Sequence, residues 1–237
     1  MPCKGCLRYL VCCWLVIGCD TAPRAQPSGD TDRFAAARRR MVDEQIAARG
    51  IRDRRVLEAM VTVPRHLFVS ADFLNRAYDD HPLPIGHDQT ISQPYIVALM
   101  TETARPQPTD RAFEVGTGSG YQAAVLSYVV AQVYTIELIE PLGKQAAERL
   151  ARLGHRNVTV RVGDGYQGWP EQAPFDVIVV TAAPEEVPQP LLDQLKAGGR
   201  LVIPVGPTGA TQELLLLEKD AKGTISRRSI APVQFVP

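Results

Sequence analysis

Residues 113–120 (FEVGTGSG) have the composition of a turn that binds a ligand. Three glycines, Gly116, Gly118 and Gly120, alternate with small polar residues. Glycine allows the backbone to approach a ligand closely and to adopt positive φ. If a helix follows, the free N–H groups of its first turn also point towards that ligand. The stretch therefore predicts a cradle for a molecule of nucleotide size.

The spacing and the charge of this turn indicate which nucleotide it suits. Dinucleotide-binding turns have the spacing G-x-G-x-x-G, whereas here the spacing is G-x-G-x-G and Tyr121 stands where the third glycine would fall. Glu114 lies just before the turn, where a carboxylate repels a pyrophosphate but can pair with an ammonium group. S-adenosylmethionine carries an ammonium and a sulfonium and no phosphate. We therefore favour S-adenosylmethionine over NAD, and a glycine turn without a ligand remains the alternative.

The elements that must position this turn alternate between strands and helices. Apolar and β-branched runs predict strands at 111–115, 132–137, 157–162, 175–181 and 200–205, and helical patterns lie at 121–126, 140–153 and 190–196. This alternation predicts an α/β fold with a doubly wound, mostly parallel, Rossmann-like sheet. Two more strands, 213–218 and 226–236, flank a turn at 220–223, which is short enough to require an antiparallel hairpin.

Three acids fall at the ends of successive predicted strands, where ligands bind in such a sheet. They are Glu114, Glu137 and Asp164. A carboxylate at Glu137 can accept hydrogen bonds from both ribose hydroxyls, and one at Asp164 can accept a bond from the exocyclic amine of adenine. Their position behind a G-x-G-x-G turn strengthens the cofactor prediction.

The region before the sheet predicts a helical cap and a polar loop. Helices are expected at 31–49, ending at Gly50, and at 54–60, capped by Asp53. A loop at 83–94 follows, and Pro94 is expected to begin a helix that runs to Ala104. Ser92 then lies at the mouth of a helix, either as a capping residue or as a hydroxyl aimed at a substrate carboxylate. The residue types alone leave these two explanations even.

Composition limits the classes of partner and cofactor. The 237 residues are 45% hydrophobic, with 26 basic and 26 acidic side chains, which suits one sizeable domain and gives no support for a nucleic-acid partner. The four histidines, His66, His81, His87 and His155, lack metal-ligand spacing. All five cysteines fall within the first 19 residues, so we expect no metal and no disulfide in the folded body.

The N-terminus has the features of a lipoprotein signal segment at residues 1–19, followed by a linker at 20–30. Lys4 and Arg8 precede or interrupt a mostly apolar stretch that is too short to span a membrane. Residues 16–19 (VIGC) resemble a lipobox, in which Cys19 would be lipidated. We expect a location in the cell envelope or periplasm. The alternative is the cytoplasm, where S-adenosylmethionine is made, with the segment as an extension from a wrongly chosen start site.

From about Met41 to Pro237, the chain resembles the protein-L-isoaspartate (D-aspartate) O-methyltransferase family. The loop at 90–94 (TISQP) is the most specific part of the resemblance. The stretches that carry it are MVDEQIAARGIRD (41–53), VLEAM (56–60), VPRHLFV (63–69), LPIGHDQTISQPYIVALMTE (83–102), FEVGTGSGYQAAVL (113–126), VGDG (162–165), FDVIVVTAA (175–183), GGRLVIPVG (198–206) and FVP (235–237).

The resemblance implies methyl transfer from S-adenosylmethionine to the free carboxylate of L-isoaspartyl or D-aspartyl residues in damaged proteins and peptides. It implies that Ser92 is the active-site serine, with Thr90 and Ile91 in the substrate loop. The residues implied to bind the cofactor are Glu114, Gly116, Gly118, Gly120, Glu137, Asp164, Gly165 and Gln212. The expected methyltransferase domain is residues 31–237, with the cap and substrate loop at 31–105 and the cofactor-binding sheet at 106–237, acting as a soluble monomer without nucleic acid.

Two features depart from the family pattern. Asp88 stands where many relatives carry glycine, and the signal-like segment at 1–19 is not part of the usual pattern. Two rival functions remain at this point: an NAD-dependent oxidoreductase, and a lipid-anchored binding protein that kept the fold and lost catalysis.

Overall fold

The computed structural model describes Met1 and residues 31–236. The predicted signal segment, the linker and Cys19 therefore lie outside the described residues. Along the described part of the chain, no helix is both long enough and apolar enough to cross a bilayer.

The N-terminal cap is one long helical run followed by a shorter helix. Helix α1 (Thr31–Arg40) continues as a π-helical stretch (Met41–Ile46) and a 3₁₀ turn (Ala47–Arg49). The run ends at Gly50, whose φ is 104°, as the sequence predicted. Helix α2 (Arg54–Thr62) begins at Asp53, whose side chain accepts a hydrogen bond from the Arg55 N–H at 2.9 Å. This cap was predicted, although the helix ends two residues later than expected.

The predicted polar loop at 83–94 is partly wrong, because it contains a small hairpin. After 3₁₀ turns at Arg65–Phe68 and Ala71–Arg76, strand β1 (Leu83–Gly86) pairs antiparallel with β2 (Gln89–Ile91). Its two turn residues, His87 and Asp88, have φ values of 54° and 58°. Helix α3 (Pro94–Thr103) follows, and it begins at the predicted proline.

A seven-stranded sheet forms the centre of the fold and confirms the predicted doubly wound class. Its spatial order is β5-β4-β3-β6-β7-β8-β9; the first five strands are parallel and the last two antiparallel. The strands are β3 (Arg111–Val115), β4 (Gln132–Glu137), β5 (Val158–Val162), β6 (Phe175–Val180), β7 (Leu195–Val205), β8 (Gln212–Lys219) and β9 (Ile225–Val233). Helices α4 (Tyr121–Leu126), α5 (Glu140–Arg152) and α6 (Gln189–Asp193) connect them, with 3₁₀ turns at Gly165–Gln167 and Pro170–Gln172.

The helix predicted at 190–196 is too long. It ends at Asp193, and Leu195 already belongs to β7, where it pairs with Phe175 and is buried. A glycine pair follows at 198–199. It lies inside β7, close to a register shift against β6, and Gly198 has a φ of 80°. Glycine commonly marks such an irregularity within a strand.

The central strand β6 is buried on both faces, as its continuous apolar sequence predicts. Val177 and Val179 pack into the cluster that the sheet shares with the N-terminal cap, α3 and α4. Ile178 and Val180 pack into a second cluster on the opposite face. Both faces of the sheet are thus covered, and its open edge for ligands is the one formed by the carboxyl ends of the strands.

Candidate active site

A cavity of about 860 Å³ opens at the carboxyl ends of β3, β4 and β6. Three parts of the chain form its walls: the end of the β1–β2 hairpin with Ser92, the glycine turn after β3, and the loops after β4, β5 and β6. From the predicted site set, its lining includes Thr90, Ile91, Ser92, Gly116, Gly118, Glu137, Asp164 and Gly165. The fold therefore brings the substrate loop and most of the predicted cofactor residues to one space.

The glycine turn has the backbone that only glycine adopts easily. Gly116, Gly118 and Gly120 have φ values of 95°, 51° and 88°. A Cβ on Gly116 would lie 2.6 Å from the Thr181 Oγ1 atom, which is too close for any side chain. The Thr181 hydroxyl donates to the Gly116 carbonyl oxygen at 2.6 Å, so the end of β6 fixes the turn from behind.

Gly120 lies at the start of α4 and is not part of the cavity wall. It is the N-cap of α4, and a Cβ there would come within 3.2 Å of the Leu150 side chain of α5. Its place lies outside the cavity lining. The structure therefore gives Gly120 a packing role, which lets α4 lie close to α5, and its cofactor contact stays a prediction.

Glu137 is a buried carboxylate held by two backbone donors. Its Oε2 atom accepts from the Gly118 N–H at 2.7 Å, and its Oε1 atom accepts from the Ile139 N–H at 2.9 Å. Because these bonds fix the carboxylate, its remaining lone pairs have a defined direction at the cavity wall. Such a group can accept hydrogen bonds from a ligand diol without first losing side-chain freedom.

Asp164 and Gly165 lie on the turn after β5. Asp164 is exposed, and its Oδ1 atom accepts from the Tyr166 N–H at 2.9 Å. Gly165 is buried, and a Cβ at that position would overlap the Val115 side chain. The close packing of this turn on β3 therefore brings Asp164 to the rim of the cavity.

Glu114 lies behind the glycine turn and not on the cavity wall. Its side chain is fully buried, and the Thr135 hydroxyl donates to its Oε2 atom. The pKa of the Glu114 carboxyl is raised to about 8, mainly by burial and also by the charge of Glu137, while the bond from Thr135 opposes the change. The predicted direct pairing of Glu114 with a ligand ammonium is therefore replaced by a supporting position beneath the turn.

Gln212 also lies off the cavity wall. It is buried, and its side-chain oxygen accepts from the Phe235 N–H at 2.8 Å while its amide donates to the Pro207 carbonyl at 3.2 Å. The first bond joins the start of β8 to the segment after β9, and the second joins it to the loop between β7 and β8. The predicted cofactor contact at Gln212 is thus not part of this cavity.

Ser92 faces the cavity, and its capping explanation is not supported. The N-cap position of α3 belongs to Gln93, which makes no side-chain capping bond. Among the described residues, we find no hydrogen-bond partner for the Ser92 hydroxyl, which is half-buried. The hydroxyl is therefore free to donate to a ligand in the cavity.

The charge of the cavity suits a cationic ligand. Its described lining contains four acids, Glu137, Asp164, Glu185 and Glu186, and no Lys, Arg or His. These four carboxylates would repel a pyrophosphate, whereas they would stabilise an ammonium and a sulfonium. Within residues 31–236, no group of His, Cys, Asp or Glu is arranged to hold a metal ion.

The sequence did not predict several residues of the cavity lining, and Thr181 and Gln122 are two of them. Thr181 follows the buried strand β6, so the rule that selected Glu137 from its strand end would also have selected Thr181. Gln122 lines the cavity from the first turn of α4, and its amide donates to the Thr101 hydroxyl of α3 at 2.9 Å. No sequence pattern distinguishes Gln122 from an ordinary helix residue, because its position depends on how α3 packs.

Comparison with known proteins identifies the family of the chain. A family model described as Protein-L-isoaspartate(D-aspartate) O-methyltransferase matches residues 36–237. The chain is 59% identical over 218 residues to the protein-L-isoaspartate O-methyltransferase of a Synechococcus species, which covers 90% of this chain and 89% of that relative. It is 62% identical over 185 residues to protein-L-isoaspartate O-methyltransferase 2 of a Polaromonas species, covering 78% and 88% respectively.

Solved structures agree with the fold. A protein-L-isoaspartate O-methyltransferase structure is similar at 31% identity and a TM-score of 0.76, over 84% of this chain and 65% of that chain. A Plasmodium falciparum structure described as a beta-aspartate methyltransferase, in complex with S-adenosyl-L-homocysteine, is similar at 27% identity and a TM-score of 0.72. That match covers 84% of this chain and 96% of that chain.

Proposed function

Because the chain belongs to the protein-L-isoaspartate (D-aspartate) O-methyltransferase family, we propose that its cavity esterifies the free carboxylate of L-isoaspartyl and D-aspartyl residues. The methyl group comes from S-adenosyl-L-methionine, and the ester begins the repair of damaged proteins and peptides. One observation carries this proposal: the Ser92 loop and the glycine turn line the same acidic cavity. The two rival functions lack such support. The acidic lining of the cavity disfavours the dinucleotide of an NAD-dependent oxidoreductase. The unpaired Ser92 hydroxyl in the cavity disfavours a binding protein that has lost catalysis.

The residues of the cavity fit S-adenosylmethionine. Gly116 and Gly118 give the backbone room, Glu137 offers fixed acceptors for the ribose hydroxyls, and Asp164 offers an acceptor for the adenine amine. When bound, the cofactor supplies a methyl group made electrophilic by its sulfonium. We assign Glu114 to the support of the turn, through its position under Gly116.

The chain needs no general base for this reaction. A carboxylate with the ordinary pKa of aspartate, about 3.9, is already ionised at neutral pH. The residues of the cavity therefore have to align the carboxylate with the methyl group and to exclude water, and such positioning supplies roughly 7–11 kcal/mol. We propose that the Ser92 hydroxyl donates a hydrogen bond to that carboxylate and so orients it, without acting as a nucleophile.

The test is a methyl-transfer assay with two peptides of one sequence, one containing L-isoaspartate and one containing L-aspartate. Labelled methyl should enter the isoaspartyl peptide as a base-labile ester, and the aspartyl twin is the matched control. Equal labelling of both peptides would remove the proposed substrate. No labelling of either, with cofactor bound in a titration, would favour a binding protein that has lost catalysis.

We also propose that the mature protein is a lipoprotein anchored at Cys19 in the cell envelope. The support is the sequence alone: a basic start, a short apolar stretch and the VIGC motif at residues 16–19. Mass spectrometry of the protein from its native cells should find a lipidated Cys19 as the N-terminal residue. An unmodified chain that retains the residues before Cys19, or one that begins near Thr31, would favour the cytoplasm.

A further inference from the structure

The Ser92 loop is fastened from outside the cavity to one short segment, residues 77–80. Three side chains from separate parts of the cap and loop each donate to a carbonyl oxygen of this segment. The bonds are Arg65 Nε to Ala77 O at 2.8 Å, Gln45 Nε2 to Tyr78 O at 3.0 Å, and Gln93 Nε2 to Asp80 O at 2.9 Å. Arg65 is completely buried, so the segment is anchored in the core of the cap.

The Asp80 side chain adds a second connection to the same loop. Its carboxylate accepts from the Arg49 guanidinium at 2.8 Å. The Arg49 guanidinium carbon lies 3.5 Å from the centre of the Tyr95 ring, the distance of a cation–π contact. Tyr95 lies in the first turn of α3, so this contact reaches the loop on the far side of Pro94.

These contacts bear on Ser92, although none of them touches the cavity. Gln93 is the next residue after Ser92, and Tyr95 follows two positions later. Ser92 has no hydrogen bond of its own among the described residues, so its position depends on the backbone that Gln93 and Tyr95 hold. We propose that Gln93 and Arg49 are positioning residues for methyl transfer, and that they act through Ser92 by tying its loop to Asp80.

This inference rests on the proposed function and predicts different effects on the methyl-transfer rate and on the cofactor affinity. The predicted cofactor contacts come from the glycine turn, β4 and β5, and neither Gln93 nor Arg49 contacts them. Loss of either residue should therefore slow methyl transfer at saturating cofactor and leave the cofactor affinity unchanged. Loss of a residue that only stabilised the fold would not slow methyl transfer while leaving the cofactor affinity unchanged.

The variants are Gln93→Ala, the nearly isosteric Gln93→Glu, which loses the donor, and Arg49→Ala. Gln132→Ala is the matched control, because Gln132 also donates one amide hydrogen bond, to Thr159 at 3.3 Å, far from the cavity. Arg33→Ala matches Arg49→Ala, because Arg33 lies over the Phe34 ring at 5.1 Å and bonds to Asn75. Single-turnover rates on the isoaspartyl peptide should fall about tenfold in the three test variants and stay nearly unchanged in the controls, since small misplacements of a reacting group cost up to about a hundredfold.

A double-mutant cycle shows whether Gln93 acts through Ser92. In a Ser92→Ala background, Gln93→Ala should have almost no further effect on the rate, because the group that it positions is gone. A full additional loss in that background would overturn the proposal, as would unchanged rates in both Gln93→Glu and Arg49→Ala. If Gln93→Ala does not fold, Gln93→Glu and the exposed Arg49→Ala decide the question in the same cycle. A wild-type protein that fails to methylate the peptide would instead count against the proposed function.

Discussion

The surroundings of Glu114 oppose its charge. It is fully buried behind the glycine turn, and its pKa is raised to about 8, first by burial and then by the charge of Glu137. In the unfolded chain the same carboxyl titrates near 4.5. At neutral pH it is therefore mostly protonated in the native state, and it reaches the cavity only through the hydroxyls of Thr135 and Thr117, which lie 2.6 Å apart.

Because the pKa of Glu114 is higher in the folded state than in the unfolded chain, we can predict the direction in which stability changes with pH. The contribution of Glu114 is fully present below pH 4.5 and is lost as the pH rises through about 8, because the native state then has to release a proton that it holds tightly. We expect the free energy of unfolding to decrease across that interval. Glu114→Gln should flatten the decrease, which urea unfolding at a series of pH values would measure.

The control for this prediction is Glu148→Gln, since Glu148 is an exposed carboxylate on α5. That variant should keep the wild-type dependence on pH. Identical slopes in wild type and Glu114→Gln would show that Glu114 is ionised in the native state, and the cause would then be sought in water reaching the carboxyl.

Ser92 gives the second prediction at this scale. Ser92→Ala should leave the melting temperature and the cofactor affinity nearly unchanged, because the hydroxyl makes no capping bond to α3. The single-turnover rate on an isoaspartyl peptide should fall about a hundredfold, the effect of losing one aligned donor at a reacting group. Ser92→Thr should be intermediate, since the hydroxyl remains while the added methyl crowds the loop before Pro94.

A Ser92→Ala rate close to that of wild type would contradict the positioning role. A large loss of stability in the same variant would bring back the capping explanation that the geometry of α3 argues against.

Among the elements, the β1–β2 hairpin has a turn with a strained backbone. His87 and Asp88 both have positive φ, as the two central residues of a type I′ hairpin turn do, and glycine or asparagine adopts this conformation most easily. Asp88→Gly should relieve the left-handed strain, which costs about 1–2 kcal/mol in other residues. The greater freedom of glycine in the unfolded chain offsets part of that gain, by about 0.4–1 kcal/mol.

We therefore expect Asp88→Gly to stabilise the protein by up to about 1 kcal/mol, measured by chemical denaturation. Asp88→Ala is the comparison, because alanine keeps the strain and lacks the short polar side chain, so it should destabilise. If both variants lower the stability, the Asp88 carboxylate contributes an interaction that outweighs its backbone strain.

The elements also show how far the sequence determines the fold. Strands β3, β4, β5 and β6 were predicted to within one residue, because each is a short run rich in apolar, aromatic and β-branched residues. The hairpin at 83–91 was missed, since its strands span only four and three residues and no alternation of polar and apolar side chains is visible at that length. Leu195 was wrongly assigned to a helix. Its place in β7 is shown only by its pairing with Phe175 across the sheet, which the sequence does not reveal.

The residues of the site were likewise predicted only in part. The positions of Glu137 and Asp164 on one cavity follow from the parallel sheet that the sequence predicts, whereas Ser92 was assigned to the site by the family resemblance. The displacement of Glu114 and Gln212 from the cavity depends on which way each side chain turns from its strand, and the packing behind the sheet decides that. The sequence could not show it, because an acid near a strand end has the same pattern in either orientation.

For the molecule as a whole, the charge of the cavity predicts an order of binding. Its described lining has four acids and no basic side chain, so an anionic substrate is disfavoured until a positive charge has entered. We expect the isoaspartyl peptide to bind more tightly in the presence of an analogue whose protonated amine replaces the sulfonium than in the presence of S-adenosyl-L-homocysteine. Calorimetric titration of the peptide into each complex measures the difference.

The aspartyl twin of the peptide is the control, and it should show little binding to either complex. Equal affinities of the isoaspartyl peptide for the two complexes would contradict this electrostatic order. Anchoring at Cys19, the domain boundaries and the monomeric state stay predictions, which the described residues do not test.

The hydrogen bond between Thr181 and the Gly116 carbonyl spans 65 residues of chain. During synthesis on the ribosome, the glycine turn emerges long before the strand that fixes it. Contacts of such long range form late, because the intervening loop must close first. A nascent chain that stops short of Thr181 therefore contains all three glycines of the turn, but the turn is not yet fixed in its native geometry. We expect such a chain not to bind immobilised S-adenosyl-L-homocysteine. The chain length at which binding begins would show when β6 joins the sheet.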